Sequence, residues 1–289
     1  MKDCVVFVGS FTRDIIDDTY TIGGPPYYGS IALVYYGCDT IVVISPVEED
    51  HIRFARSMGL ELIITGSSVP VFELKYISDT DREVRLLRRG STINIPSELL
   101  ESFSKSLIIV NPVYREVNLE LLRILRNYAS ILAIDIQGFV RTVDDKGSIS
   151  IKWTSDVYEV IGLADIYHLD LYEIPICNSI EEAVRYLTEY SKGIVLVSHG
   201  EEGLVASIDG ELIYVPALPG ISGNSTGAGD ILLSITAYEI YKGTEPLKAI
   251  AMGSVAAGLK VSRSKPPWFN RFEVEIIAEK LVKSSKRIS

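Results

Sequence analysis

Soft metal ligands and cross-linking thiols are scarce in this sequence. Cys4, Cys38 and Cys177 are odd in number and far apart, and His51, His168 and His199 are equally scattered. No Cys-x-x-Cys pair and no metal-ligand spacing occurs, which excludes a disulfide framework and a Cys/His zinc site and fits a reducing compartment. All six are expected to be packing or surface residues. No uninterrupted apolar run approaches the roughly 18 residues of a membrane span, so a cytoplasmic location is expected. Positive charge is short as well: 28 Lys+Arg face 38 Asp+Glu, a formal net charge of -10. Neither a nucleic-acid backbone nor an anionic membrane is the expected partner, and an anionic ligand must be held by local groups. Low-complexity stretches, linkers and fixed-period repeats are also missing, so residues 1–289 are expected to form one α/β domain.

What the chain does have is apolar material in short, regularly spaced runs, 47% of residues being hydrophobic. Cys4–Val8, Ile41–Ile44, Leu107–Val110, Ile131–Ile134 and Ile194–Val197 read as buried strands, each followed by a turn and then by helical periodicity. Leu119–Tyr128, Ile180–Tyr190, Pro246–Val261 and Val274–Lys283 carry apolar residues three and four apart, as covering helices require. The pattern predicts a mostly parallel sheet with helices on both faces. Two regions break the rhythm. Asp17–Ile22 reads as a strand, and Val71–Ile77 with Arg82–Leu87 reads as a hairpin turned by Ser78-Asp79-Thr80-Asp81. Together, at about 15–24 and 71–90, they predict a small inserted sheet that covers either an active site as a lid or merely the core edge.

The richest segment is Gly223-Asn224-Ser225-Thr226-Gly227-Ala228-Gly229-Asp230, a glycine-rich turn running into the apolar stretch Ile231–Tyr241. Small residues at a helix start leave backbone N–H groups bare, and with the helix dipole these suit a phosphoryl group in transfer. Asp230 would repel a phosphate there unless its task is to accept the proton of an attacking hydroxyl. The plain alternative is an Asp that stabilises the dipole of an ordinary helix. The helix start is expected to favour the charged form of Asp230, making it a weak base with no titration near neutrality. No Gly-x-x-x-x-Gly-Lys-Ser/Thr loop occurs, and Gly227-Ala228-Gly229 lacks the third glycine of a dinucleotide fingerprint.

Asn224 to Asp230 resembles the second signature of the ribokinase-like (PfkB-type) carbohydrate kinases, Asp-Thr-x-Gly-Ala-Gly-Asp, and Gly23-Gly24 resembles their N-terminal glycine pair. The resemblance covers nearly the whole chain and implies a ribokinase-like α/β fold with a small β-sheet lid. It implies transfer of the terminal phosphate of ATP to an alcohol, with Asp230 as base and Gly227, Ala228 and Gly229 as the anion hole. Val8-Gly9-Ser10 with Asp14 looks like the first strand and its substrate-binding aspartate. For the nucleotide it implies Ser198, Gly200, Gly203, Asn224, Thr226, Gly227, Gly229 and Ala257. The family's Asn-x-x-Glu motif, tied to Mg²⁺ and phosphates, appears as Asp170-Leu171-Tyr172-Glu173, which keeps oxygen ligands for a hard cation held directly or through water.

Gly24 is followed by Pro25-Pro26-Tyr27-Tyr28, and this variant, with Asn111-Pro112-Val113-Tyr114-Arg115-Glu116 and Asp135 to Arg141, resembles the archaeal myo-inositol 3-kinases. That resemblance implies acceptor contacts from Asp14, Gly24, Tyr28, Asn111, Arg115, Gln137 and Arg141. The residues point the same way: Asn111 and Asp135 to Gln137 follow two buried strands, where open α/β sheets bind ligands, and supply donors and acceptors for several hydroxyls. The arginines alternatively hold a sugar phosphate or sit in surface ion pairs, and the tyrosines pack a helix start. Other readings are a kinase for a nucleoside, sugar or sugar phosphate, a non-catalytic nucleotide-binding relative, and an NAD-dependent oxidoreductase. A homodimer formed through the lid is a further expectation.

Overall fold

The computed structural model describes residues 4–76 and 82–288. The expected turn Ser78-Asp79-Thr80-Asp81, with Ile77, lies outside the described residues. The chain opens with β1 (Cys4–Val8), the hairpin β2 (Thr12–Ile16) and β3 (Thr19–Gly23), α1 (Pro25–Tyr36), β4 (Thr40–Pro46), α2 (Glu49–Ser57) and β5 (Glu61–Gly66). After β6 (Val71–Tyr76), β7 (Arg82–Arg88) and the short α3 (Ser97–Leu100) come β8 (Leu107–Val110), α4 (Leu119–Tyr128) and β9 (Ile131–Asp135). The middle of the chain holds α5 (Gln137–Val140), β10 (Arg141–Val143), β11 (Ile149–Ile151), α6 (Ser155–Leu163), β12 (Ile166–Asp170), α7 (Ile180–Thr188) and β13 (Ile194–Ser198). It ends with β14 (Leu204–Ile208), β15 (Glu211–Val215), α8 (Ala228–Tyr241), α9 (Pro246–Ser262), α10 (Arg271–Ser284) and β16 (Lys286–Ile288).

The large sheet has the order β16-β15-β14-β13-β12-β9-β8-β1-β4-β5. From β13 to β5 every neighbouring pair is parallel, and β14 to β16 add an antiparallel edge. Alternation across the pleat explains why these runs are apolar throughout. In β1, Val5 and Phe7 face one buried cluster while Val6 and Val8 face the other, and Leu107 and Ile109 oppose Ile108 and Val110 in the same way in β8. Full burial of each such side chain is worth about 1.5–3 kcal/mol. Because the chain steps from β1 outward to β4 and β5 and then returns to β8 on the other side, a crevice opens at the carboxyl ends of β1 and β8.

The lid is a four-stranded sheet, β3-β2-β6-β7, in which β2 and β6 are parallel and the two hairpins antiparallel. The expected strand Asp17–Ile22 is corrected here: Asp17 and Asp18, at φ 47° and 61°, form the turn between the paired residues Ile16 and Thr19. Two successive left-handed residues match the twist of a two-residue hairpin, and Asp tolerates that region. Strand β2 was hidden because its buried side chains are polar, Thr12 and Asp14. The apolar lid face is covered within the chain. Phe72, Leu74 and Leu86 bury against Val113, with Tyr114 and the β10–β11 residues Val143 and Ile149 packed on them, and the Leu86 amide donates to Gly147 O at 2.8 Å.

This packing ties the lid to the β10–β11 hairpin. Leu86→Ala is expected to cost roughly 2–5 kcal/mol of local packing, seen as faster amide exchange in both 82–88 and 141–151 with β8 unchanged. Faster exchange in 82–88 alone would show that the two pieces are not coupled.

Candidate active site

Helix α8 begins abruptly because Gly227 caps it at φ 81°, a left-handed conformation that a side chain would strain. A Cβ there would also lie 2.2 Å from the Tyr28 ring. The Ala228 amide donates to Ser225 O at 3.0 Å, and the Gly229 and Asp230 amides belong to the first turn, whose N–H groups an α-helix leaves without intrahelical partners. Asn224 Oδ1 accepts the Thr226 amide at 2.8 Å, so the Asn at this position ties the turn as an Asp would. The Lys260 ammonium, from α9, donates to Asn224 O at 2.9 Å and to Thr226 O.

Asp230 follows the anion turn at the ends of β8, β9 and β12. Its Oδ1 accepts from Asn111 Nδ2 at 2.9 Å, and Asn111 Oδ1 accepts from Gln137 Nε2 at 2.9 Å. Asp135 receives the Gln137 amide on one oxygen at 2.9 Å and meets His168 Nδ1 with the other at 2.8 Å. His168 Nε2 lies 3.0 Å from Ser198 Oγ, which donates to Asp170 Oδ2 at 3.3 Å. One unbroken array therefore joins the ends of four adjacent strands. Gly229 is needed here too, since a Cβ would come 2.8 Å from His168 Cε1.

Crowded carboxylates shift one another. Burial, with the negative charge of Asp135, pushes Asp230 up to about 7, outweighing the Asn111 hydrogen bond and the charges of His168 and Arg141. The expectation of a helix-stabilised, non-titrating carboxylate is thus corrected: desolvation and a like charge exceed the dipole. Burial and Asp135 likewise push Glu173 up to about 7, and burial raises Asp170. His168 is raised although burial opposes it, because Asp135, Glu173 and Asp170 favour the imidazolium.

The other expected residues fall into groups. Arg141 donates to Val113 O at 3.2 Å and pairs with Glu173 at 3.6 Å, while the exposed Arg115 donates from Nε to Arg141 O. Asp14 is buried in the lid, its carboxylate accepting from Thr12 Oγ1 at 2.8 Å and lying against Gly23. Gly24 caps α1 at φ 88°, where a Cβ would meet Ser10 O at 2.5 Å. Tyr28 packs beneath the anion turn, stacked on Trp268 at 6.2 Å, apart from the Asn111–Gln137 pair. Ser198 ends β13, and Gly200 and Gly203 bound the turn that follows, at φ 49° and 87°. Ala257, on α9, is half-buried.

Asp170 and Glu173 fit a hard cation only loosely. Asp170 already accepts the Tyr172 amide and Ser198 Oγ, and Glu173 accepts the Asp170 amide and faces Arg141. Such oxygens suit a cation that keeps its water shell and takes its direct ligands from phosphates, as Mg²⁺ does.

Three participants escaped sequence reasoning. His168 was expected to be ordinary packing, yet it sits between Asp135 and Ser198; the cross-strand register, His168 opposite Asp135 on β12 and β9, is the signal that would have found it. Glu116 is buried and accepts the amides of Ser10, Val113 and Tyr114, shaping the loop that carries Asn111. Lys260 lies in an unremarkable helical pattern.

The raised Asp230 value has a stability consequence. A carboxyl with a folded pKa of about 7 against an ordinary 3.8 binds its proton more tightly when folded, so stability is lost as pH rises through that window. Asp230→Asn is expected to raise Tm above wild type at pH 8, with the gain vanishing toward pH 4. A constant difference across that range would refute the burial argument.

Comparison with known proteins agrees with this geometry. Residues 136–266 match the family described as "pfkB family carbohydrate kinase". The 5-dehydro-2-deoxygluconokinase of Clostridium perfringens is 21% identical over 268 residues, covering 83% of this chain and 78% of that protein. Among solved structures, a pyrophosphate-dependent kinase in the ribokinase family complexed with a pyrophosphate analog and myo-inositol superposes with TM-score 0.75 at 20% identity, over 90% of this chain and 95% of that one. Ribokinase from Thermotoga maritima gives 0.72 at 16% identity, over 95% and 99%. With the Gly-Ala-Gly-Asp helix start inside the matched region, the chain is similar over residues 136–266 to the pfkB family carbohydrate kinases and has a ribokinase-like fold, a likeness that supports phosphoryl transfer to a sugar or polyol.

Proposed function

We propose that this protein is an ATP- and Mg²⁺-dependent kinase whose acceptor is myo-inositol or a closely related polyol. The observation that carries the reading is the Asp230–Asn111–Gln137 array at the mouth of the α8 anion turn, which joins a proton acceptor to neutral hydroxyl-binding groups. The acceptor hydroxyl oxygen attacks the terminal phosphorus of ATP, its proton passes to an Asp230 oxygen, and the ADP oxygen leaves with the P–O bonding pair. A base that titrates near 7 is matched to that task. The Gly229 and Asp230 amides and the positive end of α8 face the charge on the moving phosphoryl group, where preorganised donors contribute most. Ser198, Gly200, Gly203, Asn224, Thr226 and Ala257 line the donor side. Asp170 and Glu173 would hold Mg²⁺ through water, and the ion would neutralise charge on the donor's phosphates.

A neutral acceptor is favoured because Arg141 is already engaged by Glu173 and Val113 O, and Arg115 by Arg141 O. The Arg141 fork is therefore not ready for a bidentate grip on a sugar phosphate. The similar structure complexed with myo-inositol supports the same acceptor, and its pyrophosphate dependence favours a second donor reading, pyrophosphate in place of ATP. The test is a turnover screen with each donor over polyols, sugars, sugar phosphates and nucleosides. Myo-inositol with ATP is expected to give the highest kcat/KM. Robust turnover of a sugar phosphate with none of myo-inositol would overturn the acceptor.

Asp230→Asn should lower kcat by at least ~10²-fold with donor affinity nearly intact, and wild-type kcat/KM should rise with pH to a plateau, the limb centred near 7 as the Asp230 carboxyl ionises. Near-normal turnover in the variant, or a flat profile, would remove Asp230 as base. Gln137→Ala and Arg141→Ala should raise KM for myo-inositol a few-fold to ~100-fold, the worth of one hydrogen bond of roughly 0.5–3 kcal/mol, without changing KM for ATP. Equal effects on both substrates would assign these side chains to general site integrity.

A further inference from the structure

Lys260 is more than nine-tenths buried, a costly place for an ammonium unless its surroundings replace water. Its Nζ donates to the carbonyls of Asn224 and Thr226 and lies 5.2 Å from the centroid of the Tyr28 ring, so oxygen lone pairs and an aromatic face surround the charge. The two carbonyls belong to the anion turn itself. In a planar trans peptide the C=O and the following N–H point in opposite directions. Fixing Thr226 O on Lys260 therefore aims the Gly227 amide away from α9, and fixing Asn224 O does the same for the Ser225 amide. Tyr28 closes the arrangement, its ring touching both the ammonium and Gly227.

We propose that Lys260 is a positioning residue for phosphoryl transfer: a built-in monovalent cation, bound by backbone carbonyls, that holds the turn's amides toward the donor phosphate. The proposal rests on the anion-turn role given to residues 224–230 above. Its charge also polarises the same peptide groups, making their N–H ends more positive where the phosphate sits. A tie that merely joins α9 to the loop would affect stability alone. A carbonyl-bound cation, by contrast, is replaceable by a free one once the side chain is removed.

The experiment compares wild type, Lys260→Ala and Lys260→Met in ammonium or potassium chloride and in tetramethylammonium chloride of equal ionic strength, since the last ion is too large for the gap. Turnover is followed with ATP and myo-inositol, and binding of ATP and of inorganic pyrophosphate is measured by calorimetry without acceptor. In tetramethylammonium, Lys260→Ala is expected to lose roughly 10²-fold in kcat and to bind both phosphates more weakly, with KM for acceptor unchanged. Ammonium or potassium should restore at least ~10-fold of that kcat and leave wild type indifferent. Lys260→Met keeps the packing, fills the gap and should show the loss without rescue. A folded Lys260→Ala within threefold of wild type, or a loss that neither cation relieves, would overturn the proposal. Should Lys260→Ala not fold, Lys260→Met decides: wild-type phosphate binding overturns the role and weakened binding supports it. A wild type that binds the phosphates yet phosphorylates no acceptor would unseat the proposed function and leave this binding test intact.

Discussion

In the proposed reaction a carboxylate and a phosphoryl group have to share the positive end of one helix. Two unit negative charges 4 Å apart repel by about 4 kcal/mol at an effective dielectric constant of 20. The site answers in three ways that depend on one another. Asp230 is buried beside Asp135, so it is largely neutral below about pH 7, and an anionic donor meets less repulsion. The left-handed Gly227 and the Lys260 ammonium on the Asn224 carbonyl shape the loop and, in the proposed mechanism, supply the positive potential that favours ionisation once a proton must be taken. Asn111 occupies Oδ1 of Asp230 with its amide, so in the proposed mechanism the other oxygen is the one left for the acceptor.

Asp135 governs this balance from a neighbouring strand. Both of its oxygens are engaged, by the Gln137 amide and by His168, yet its charge still raises Asp230 and Glu173. His168 in turn is drawn toward its charged form by Asp135, Glu173 and Asp170, against its own burial. His168 and the Arg141 guanidinium thus stand among four carboxylates, and the pKa of Asp230 is a property of the group. A change at Asp135 or His168 would act on Asp230 through that field.

The large sheet was legible because its strands are buried on both faces and read as continuous apolar runs; Cys4–Val8 and Leu107–Val110 have the boundaries their sequences suggest. The amphipathic α4 was equally plain, and its Asn118 cap accepting the Leu121 amide explains its start. Strand β2 was not legible, since Thr12 and Asp14 point inward and invert the usual alternation. In the site, Asp230, Asn111 and Gln137 could be read from motif and strand-end position. His168 and Lys260 could not, because each acquires its role from a partner 33 or more residues away, Asp135 and the 224–226 carbonyls. Local patterns carry no record of register between distant strands or of which helix face meets a loop. The Asp230 pKa is hidden from local pattern for the same reason: the dipole is local to its helix, whereas burial and the charge of Asp135 arrive through the sheet.

That sheet also sets the length scale of the reaction. Asn111 follows β8, Asp135 and Gln137 stand at the end of β9, Asp170 ends β12 and Ser198 ends β13. Neighbouring strands are about 4.8 Å apart, so three steps separate the ends of β8 and β13, the proposed acceptor and donor sides, by roughly 14 Å. Helix α8 packs across β8, β9 and β12 and brings its N-terminus between the two sides. An acceptor hydroxyl near Asn111 and a donor chain approaching from Ser198 would therefore converge on the Gly229 and Asp230 amides, and neither needs to cross the array to reach the other. Because every group hangs from a strand end or a helix start in a close-packed core, the separation is fixed by backbone geometry and not by the small sheet with its β10–β11 buttress.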